Sequence, residues 1–424
     1  MNDITIVVLA AGRSTRFLSK KSKLTQDLAG QPVISYVYNT AKKISKNVVV
    51  VCNKNNFIEL KSLLKNSKFI IQKVQKGTAD AIKVAKPYIK TKNFIVLFGD
   101  VPLINISSIK RLIKNFKINN HASMIAFETS NPFGYGRVVQ YNNVVQKVVE
   151  EINTNKEEKK INICNSGIMM VNTKYFFKNL KLIKINKKKN EKYITDLFEI
   201  YFTKKKPFYI CIADEKEMIG INTIDDYNKV NKILQYNIYN KFIKNGVLIK
   251  NPETSQFSYD AIISPGVIID SNVIIGNEVN IKPGTRIKSF SNLEGVKIEE
   301  NCIVGPNARI RPSSKIKKNT KIGNFVEIKN STIGSKTSIS HLSYIGDSIV
   351  GNEVNIGAGT ITCNYDGKNK NKTKIGNKAF IGSNCSLIAP IKLGNNVKIG
   401  AGSVINKNIP NNKLAIRRSK LKIY

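Results

Sequence analysis

The sequence predicts a Rossmann-like α/β domain followed by a parallel β-helix, and three observations carry that prediction. Short aliphatic runs alternate with lysine-rich helical stretches over residues 1 to about 222. A single amphipathic pattern fills 223–246, and from 247 to 424 an aliphatic side chain returns every six positions. A chain of 424 residues has room for two or three cores of ordinary size.

In the first part, "ITIVVLAAG", "NVVVVC", "KFIIQ", "NFIVLFGD" and "HASMIAFE" read as strands, with helix-like segments between several of them. That is the pattern of βαβ units and a largely parallel sheet. In the second part, Thr223 can cap a helix, Asp225 and Asp226 suit its positive end, and Gly246 can end it. Tyr227, Val230, Leu234, Ile238 and Phe242 fall on one helical face. In the third part, Ile263, Ile269, Ile275, Ile281 and Ile287 keep a beat of six. Val304, Ile310, Ile316, Ile322 and Ile328 repeat it, as do Ile375, Ile381, Leu387, Leu393, Ile399 and Ile405. A period of six fits a coil with three flat faces, one inward aliphatic per face and about 18 residues per turn. Glycine and asparagine fall where the corners need tight turns. "SFSNLEGVKIEEN" reads as a repeat short by half a turn or more, and "TCNYDGKNKNKTK" as an insertion that projects from the rod.

Six scattered cysteines with no CxxC pair argue for reduced thiols in a cytoplasm, not a disulfide frame or a zinc site. The N-terminus has no basic lead before its first strand, so no signal peptide is expected. No apolar run reaches the roughly 18 residues that cross a bilayer, so no membrane insertion is expected. The net charge of +40 is spread along the whole chain and is not gathered on one arm with interleaved aromatics. It reads as drift toward lysine, asparagine and isoleucine, and no specific nucleic-acid partner is expected. It still favours phosphate-bearing substrates.

Three stretches carry nucleotide chemistry. "LAAGRSTRF" follows the first strand directly, and a small-residue turn there presents backbone N–H groups to phosphate oxygens, with Arg16 and Lys23 near by. Asp100, in "IVLFGDVPLI", lies just past the carboxyl end of a strand, the edge where open α/β sheets bind ligands. A carboxylate there can hold Mg2+ against triphosphate oxygens. Gln72, Gly77 and Thr78, in "QKVQKGTADA", offer an amide, a close backbone approach and a hydroxyl, enough to read a flat base. In the coil, "TSISHLSYIGD" holds His341, one of only two histidines in the chain. A side chain on the outer face of a stacked coil is held rigidly, and an imidazole can accept a proton near neutral pH. The other histidine, His121, reads as structural.

Together with "NPFGYGRVV", "NSGIMMVN", "KYITDLFEI", "GNFVEIKNS", "HLSYIGD" and "NIGAGTITCNYDG", these motifs resemble a known family over nearly the whole chain. The family is that of the bacterial bifunctional N-acetylglucosamine-1-phosphate uridyltransferases/glucosamine-1-phosphate acetyltransferases. The resemblance implies a nucleotidyltransferase domain over 1–222, a linker helix over 223–246 and a left-handed hexapeptide β-helix acetyltransferase domain over 247–424. By that resemblance Leu9, Ala10, Ala11 and Gly12 touch the nucleotide and Lys23 its phosphates, while Gln72, Gly77 and Thr78 read uracil. Phe98, Gly99 and Asp100 follow, Gly136, Glu150 and Asn165 hold the sugar, and Asn222 joins Asp100 on Mg2+. In the coil, His341 is the catalytic base, and Arg311 and Lys329 grip the sugar phosphate. Tyr344, Asn355 and Lys370 hold the sugar, while Ala358, Asn364, Tyr365, Ser383, Ala401 and Arg418 contact acetyl-CoA. The implied product is UDP-N-acetylglucosamine, made from glucosamine 1-phosphate, acetyl-CoA and UTP by way of N-acetylglucosamine 1-phosphate. It would supply cell-wall and lipopolysaccharide precursors. The implied assembly is a cytoplasmic homotrimer with acetyl sites between subunits.

Three positions depart from the family pattern. Ser14 replaces the second glycine of GxGTR, which a serine tolerates if its φ is negative; Ser22 replaces the proline before Lys23; and Phe98 replaces the tyrosine before Gly-Asp. They predict a slower uridyltransferase, not a dead one. The tail beyond Ile416 is short, which would weaken coenzyme binding. Cys363 is not expected to carry an acyl group, because direct transfer needs no thiol. Two rival readings are a single-activity nucleotidyltransferase whose coil serves only assembly, and a basic nucleic-acid-binding scaffold. Turnover of acetyl-CoA and of UTP separates all three.

Overall fold

Runs of β-branched residues with polar ends build the first sheet. Its nine strands are β1 (Ile4–Ala10), β2 (Asn47–Cys52), β3 (Lys68–Ile71), β4 (Asn93–Phe98), β5 (Ala122–Glu128), β6 (Arg137–Tyr141), β7 (Val144–Val149), β8 (Ile163–Asn172) and β9 (Phe208–Ala213). The computed structural model describes residues 3–12, 14–17, 21–74, 77–119, 121–183, 193–418 and 423. The chain divides into two units, Met1–Ile233 and Leu234–Tyr424. The sheet order is β3-β2-β1-β4-β8-β5-β9-β7-β6. The first four strands run parallel and β8 runs against both of its neighbours. Every residue of β1 is buried, as a strand covered on both faces requires. Val7 and Leu9 join the core on one side of the sheet, and Ile4, Ile6 and Val8 the core on the other.

The five strands foreseen from the pattern are present, and β6 to β9 add to them. β6 and β7 form a hairpin through Asn142 and Asn143, both at positive φ, the chemistry of a two-residue turn. The helices are α1 (Val33–Ile44), α2 (Phe57–Leu63), α3 (Thr78–Ala85), α4 (Ile106–Asn119), α5 (Thr173–Leu180), α6 (Asp196–Thr203) and α7 (Ile224–Lys244). α7 begins as foreseen. Thr223 Oγ1 accepts from the Asp226 N–H, and the Asp226 carboxylate accepts from the N–H groups of Asn222 and Thr223. The division between the two units falls inside this helix.

In the second unit every strand pairs in parallel with the strand one coil away, making three sheets of ten, nine and eight strands. The first face runs from Leu248–Ile249 to Leu414–Ala415, the second from Gln256–Phe257 to Val404–Ile405, and the third from Ile262–Ile263 to Ile391–Leu393. The aliphatic beat is the interior: Ile269, Ile287, Ile322, Ile328, Ile339 and Ile381 are all fully enclosed. Each such burial stabilises by about 2–3 kcal/mol relative to exposure. Buried hydroxyls tie the corners together, as where Thr337 Oγ1 donates to the Gly351 carbonyl at 2.9 Å and accepts from the Val354 N–H at 3.2 Å.

The expected half-turn deletion near "SFSNLEGVKIEEN" is not there. Arg286–Ile287, Asn292–Leu293 and Val296–Ile298 occupy the three faces in turn, and Ile281 pairs with Ile298 directly above it. The step from Leu293 to Ile298 is simply short, and the corner closes with Gly295 at positive φ. The insertion is real: Val350 pairs with Ile375, so one coil carries a long excursion whose tip is exposed and joined by a Tyr365–Lys370 bridge. Corners repeatedly take left-handed backbone, and beside asparagine and glycine the first-to-second-face corner places Phe290, Phe325 and Leu342 there. Bulky residues pay strain in that region.

Candidate functional site

Past the carboxyl ends of β1, β3 and β4 the sheet edge opens. The Gly99 N–H donates to the Leu9 carbonyl at 2.8 Å, so the turn after β1 and the turn after β4 lie side by side. Leu9, Ala10 and Ala11 are buried, and a side chain on Gly12 would meet open space. Asn53 and Asn56 hold this turn from behind. The Asn53 side-chain amide donates to the Ala11 and Gly12 carbonyls at 3.1 and 3.3 Å, and that of Asn56 donates to the Ala10 carbonyl at 2.8 Å. The two asparagines also bond each other's backbone N–H groups. With the carbonyls engaged on that side, the turn is set in one conformation. The sequence reading took these asparagines for compositional drift; their spacing as N-x-x-N straight after a strand was the available signal.

Ser14 lies in the same turn with φ +55°, so the negative φ under which serine would be tolerated is not met. Left-handed backbone costs a non-glycine residue about 1 kcal/mol or more, which glycine avoids. Ser14→Gly is therefore expected to raise kcat/KM for UTP, the nucleotide the resemblance implies, about twofold to fivefold, read as pyrophosphate release. Ser22 fits its place better. Its φ is −58°, a proline value, and its hydroxyl accepts from the Leu24 N–H at the start of the short helical turn that carries Lys23.

Lys23 is the centre of the edge. Its buried ammonium donates to Asp100 Oδ2 at 2.5 Å and to Asn222 Oδ1 at 2.9 Å. The Ile221 N–H bonds the Asp100 carbonyl at 2.8 Å and so keeps Asn222 beside Asp100. One carboxylate and one amide oxygen thus converge on a single cationic position, from residues 122 apart in sequence. Two hard oxygen donors suit Mg2+, which takes few protein ligands and completes its shell from water and phosphate. No cluster of three or more His, Cys, Asp or Glu side chains able to hold a metal exists among the described residues.

Gln72 is buried, and its NH2 group donates to Asp80 Oδ2 at 3.0 Å and to the Gly77 carbonyl at 3.4 Å, which fixes the amide plane. Gly77 enters α3 with φ +94°, and Thr78 starts that helix. Phe98 ends β4 with its ring against Gly167, where an added Cβ would meet the ring at 2.5 Å. Gly136, Glu150 and Asn165 form a neighbouring wall. The Asn165 N–H donates to the Gly136 carbonyl at 2.8 Å, and Asn165 Oδ1 accepts from the Gly167 N–H at 2.8 Å. Thr195, absent from the sequence reading of the site, donates to Glu150 Oε1 at 2.9 Å and orients that carboxylate. Its signal was the quoted "KYITDLFEI".

In the coil, His341 ends the strand Ser338–His341 on the first face, with its side chain exposed. It sits two residues past an inward aliphatic. Ala358, Ser383 and Ala401 hold the same position in the next three coils, past Ile356, Ile381 and Ile399. Arg418 follows one coil on, where an added Cβ on Gly400 would meet its Nη2 at 2.8 Å. The row runs from an imidazole past small residues to a guanidinium, four coil steps or about 19 Å at strand spacing.

Arg311, Lys329 and Tyr344 come from the second face in successive coils. Arg311 Nη1 lies 2.9 Å from Glu327 Oε1, and the Tyr344 ring covers Gly346. Lys370 reaches Lys329 from the insertion. The Lys370 ammonium beside it, and then Arg311, hold Lys329 below the usual lysine range, against the opposing pull of Asp347. An anion here relieves that repulsion. A group with a lowered lysine pKa loses its charge earlier as pH rises. Anion binding at this cluster is therefore expected to weaken at a lower alkaline pH than an ordinary lysine near 10.4 would give, read by titration with inorganic phosphate. Lys370→Ala should move that weakening to higher pH while lowering affinity at neutral pH.

One chain does not bring all the expected coil residues together. Asn355 is on the first face, while Lys329 and Tyr344 are on the second. Asn364 is buried at the root of the insertion, where its amide donates to Asp347, and Tyr365 is exposed beside it. Both sit at the corner beyond Asp347, away from the row that holds Ala358, Ser383 and Ala401.

Comparisons with known proteins match separate stretches of the chain to different family models. The family model described as a MobA-like NTP transferase domain matches residues 6–162. The bacterial transferase hexapeptide model (six repeats) matches 372–407, and the GMPPB C-terminal domain model matches 293–365. A protein of Zymomonas mobilis named "Bifunctional protein GlmU" is 37% identical over 98% of this chain and 94% of its own length. The protein of the same name from Agrobacterium fabrum is 38% identical over 98% of this chain and 93% of its own. That from Carboxydothermus hydrogenoformans is 37% identical over 98% and 97%.

Proposed function

The chain belongs to the family of bifunctional GlmU proteins, and from that premise we propose how its two sites share the work. The protein is a bifunctional transferase that makes UDP-N-acetylglucosamine, with a nucleotidyltransferase in the first unit and a hexapeptide acetyltransferase in the second. The observation that carries the first assignment is the convergence of Asp100 Oδ2 and Asn222 Oδ1 on the Lys23 ammonium.

In the first unit UTP lies along the turn Leu9–Gly12, its phosphates toward the backbone N–H groups and Lys23. Gln72, Gly77 and Thr78 take the uracil. Gly136, Glu150 and Asn165 hold N-acetylglucosamine 1-phosphate, with Phe98 and Gly99 closing the floor. A phosphate oxygen of the sugar attacks the α-phosphorus in line, the bond to the β-phosphate oxygen breaks, and pyrophosphate leaves. Mg2+ held by Asp100 and Asn222 would supply charge neutralisation on the triphosphate. The protein's own part is to position the reactants and present positive charge.

In the second unit Arg311, Lys329 and Lys370 take the phosphate of glucosamine 1-phosphate, and Tyr344 and Asn355 hold the ring. Acetyl-CoA lies along the row Ala358, Ser383 and Ala401 with its phosphates at Arg418, while Asn364 and Tyr365 approach it from another subunit. The sugar amine attacks the thioester carbonyl, His341 takes the amine proton, and the C–S bond breaks to release coenzyme A.

This arrangement needs a homotrimer. Two features support it: the strained, exposed Phe290, Phe325 and Leu342 on the corner beside His341, and the separation of Asn355 from Lys329 in one chain. Asn355→Ala and Lys329→Ala chains should each lose acetyl transfer alone. Co-assembled in equal amounts they should recover about a quarter of the sites; no recovery would place both residues in one subunit's site. We assign the protein to the cytoplasm; no described helix is long and apolar enough to cross a membrane. The test of the whole reading is coenzyme A release followed by pyrophosphate release on purified protein. Absence of the first leaves a single-activity enzyme, and absence of both overturns the reading.

A further inference from the structure

A cavity of about 500 Å³ opens at the ends of β4 and β8 opposite to those that carry Gly99 and Asn165. Lys92, Lys174, Lys178 and Lys206 line it with His121, and no aspartate or glutamate does. Elsewhere on this basic protein lysines meet carboxylates, as in Lys147–Glu158, Lys160–Glu157 and Lys229–Asp225. None of the four cavity lysines forms an ion pair among the described residues.

The four lysine side chains are exposed at the cavity, while His121, Asn93, Asn172 and Tyr175 are partly buried. The Lys206 ammonium lies 4.9 Å from the centre of the Tyr175 ring, which fixes that cation against the lining. Asn93 and Asn172 add uncharged amides, joined to each other at 3.5 Å across the paired strand ends. Asn172 Oδ1 already accepts from the Tyr175 N–H at 3.0 Å, so the start of α5 is capped and the charge comes from the side chains. Phe116, buried, supplies an apolar wall beside the half-buried Tyr175. Four like charges around one concavity raise each other's energy, and a bound anion removes that cost.

We propose that this cavity is a second anion site in the nucleotidyltransferase unit and takes a phosphorylated small molecule. Its volume suits a sugar phosphate or a mononucleotide, within the usual ligand-pocket range of about 300–1,000 Å³. The concave shape and the apolar wall favour such a ligand over a polymer backbone. The inference does not depend on the roles given to Lys23, Asp100 or His341.

The chain's two histidines make a direct test, because the full-length protein labelled with 13C-histidine has two imidazole signals. His341→Ala identifies which belongs to His121. Sodium pyrophosphate, glucose 1-phosphate and uridine monophosphate are titrated separately, with sodium chloride at matched ionic strength. The expected result is a saturable shift of the His121 signal with at least one phosphorylated probe and none with chloride. Asp100→Ala should leave that shift unchanged. Lys174→Ser combined with Lys178→Ser should weaken saturation about tenfold, and Lys178→Gln alone should weaken it less, which guards against a variant that fails to fold. The probe that saturates first tells nucleotide from sugar phosphate or bare phosphate. A shift that follows ionic strength alone, or that both lysine variants leave intact, overturns the proposal.

Discussion

Asp100→Ala is expected to lower pyrophosphate release by about 10³-fold or more while coenzyme A release continues at the wild-type rate. Among the described residues the carboxylate is the only formally negative group touching the Lys23 ammonium; the second partner, Asn222 Oδ1, is neutral. Removing it takes from the proposed cation site its charged ligand, and among the described residues the ammonium is then left with the Asn222 amide. A factor of 10³ is about 4 kcal/mol of lost transition-state stabilisation. Asn222→Ala removes a neutral donor and should cost less, about 10- to 100-fold, with a raised requirement for Mg2+ that Asp100→Ala cannot satisfy at any concentration. Both variants should keep the folded sheet, because the Asp100 and Asn222 backbones are set by the Ile221 N–H bond and by the Asp226 cap. Undiminished pyrophosphate release from Asp100→Ala would remove the metal assignment and with it the role given to this sheet edge.

How much of this was legible in advance depends on how local each signal is. The six-residue beat predicts the coil interior because each inward aliphatic needs only its own face, and Ile263, Ile310 and Leu387 are buried as the period demands. The compressed repeat misled because a corner closed by Gly295 absorbs a missing residue without loss of a strand. β8 was missed because Asn165, Ser166 and Gly167 interrupt its apolar run at a register shift, the place where it serves the site. The asparagines of the β6–β7 turn and of Asn53 and Asn56 vanished into a lysine- and asparagine-rich background, since composition cannot tell a positioning amide from drift. The sign of φ at Ser14 belongs to the closed turn, which no residue type announces. The Lys329–Lys370 repulsion joins the second face to an insertion and exists only once coil and excursion are both folded.

His341→Ala should lower coenzyme A release by about 10²- to 10⁴-fold, the usual contribution of a general base. The same protein should still form UDP-N-acetylglucosamine from UTP and N-acetylglucosamine 1-phosphate. The coil itself should not register the change. His341 pairs through its backbone with Asn324, its carbonyl accepts the Ser343 hydroxyl at 2.8 Å, and its imidazole is exposed. Exposed substitutions of that kind stay within about 0.5 kcal/mol. A large loss of rate with an unchanged melting transition therefore reports chemistry. Ala358, Ser383 and Ala401 carry no group that titrates, and Arg418 stands four coil steps away, so nothing else in the row can replace the imidazole as proton acceptor. Those small residues should instead respond to bulk: Ala401→Leu would block the row between His341 and Arg418 and raise KM for acetyl-CoA with kcat little changed. If His341→Ala retains coenzyme A release within tenfold of wild type, the base lies elsewhere and the row is a scaffold.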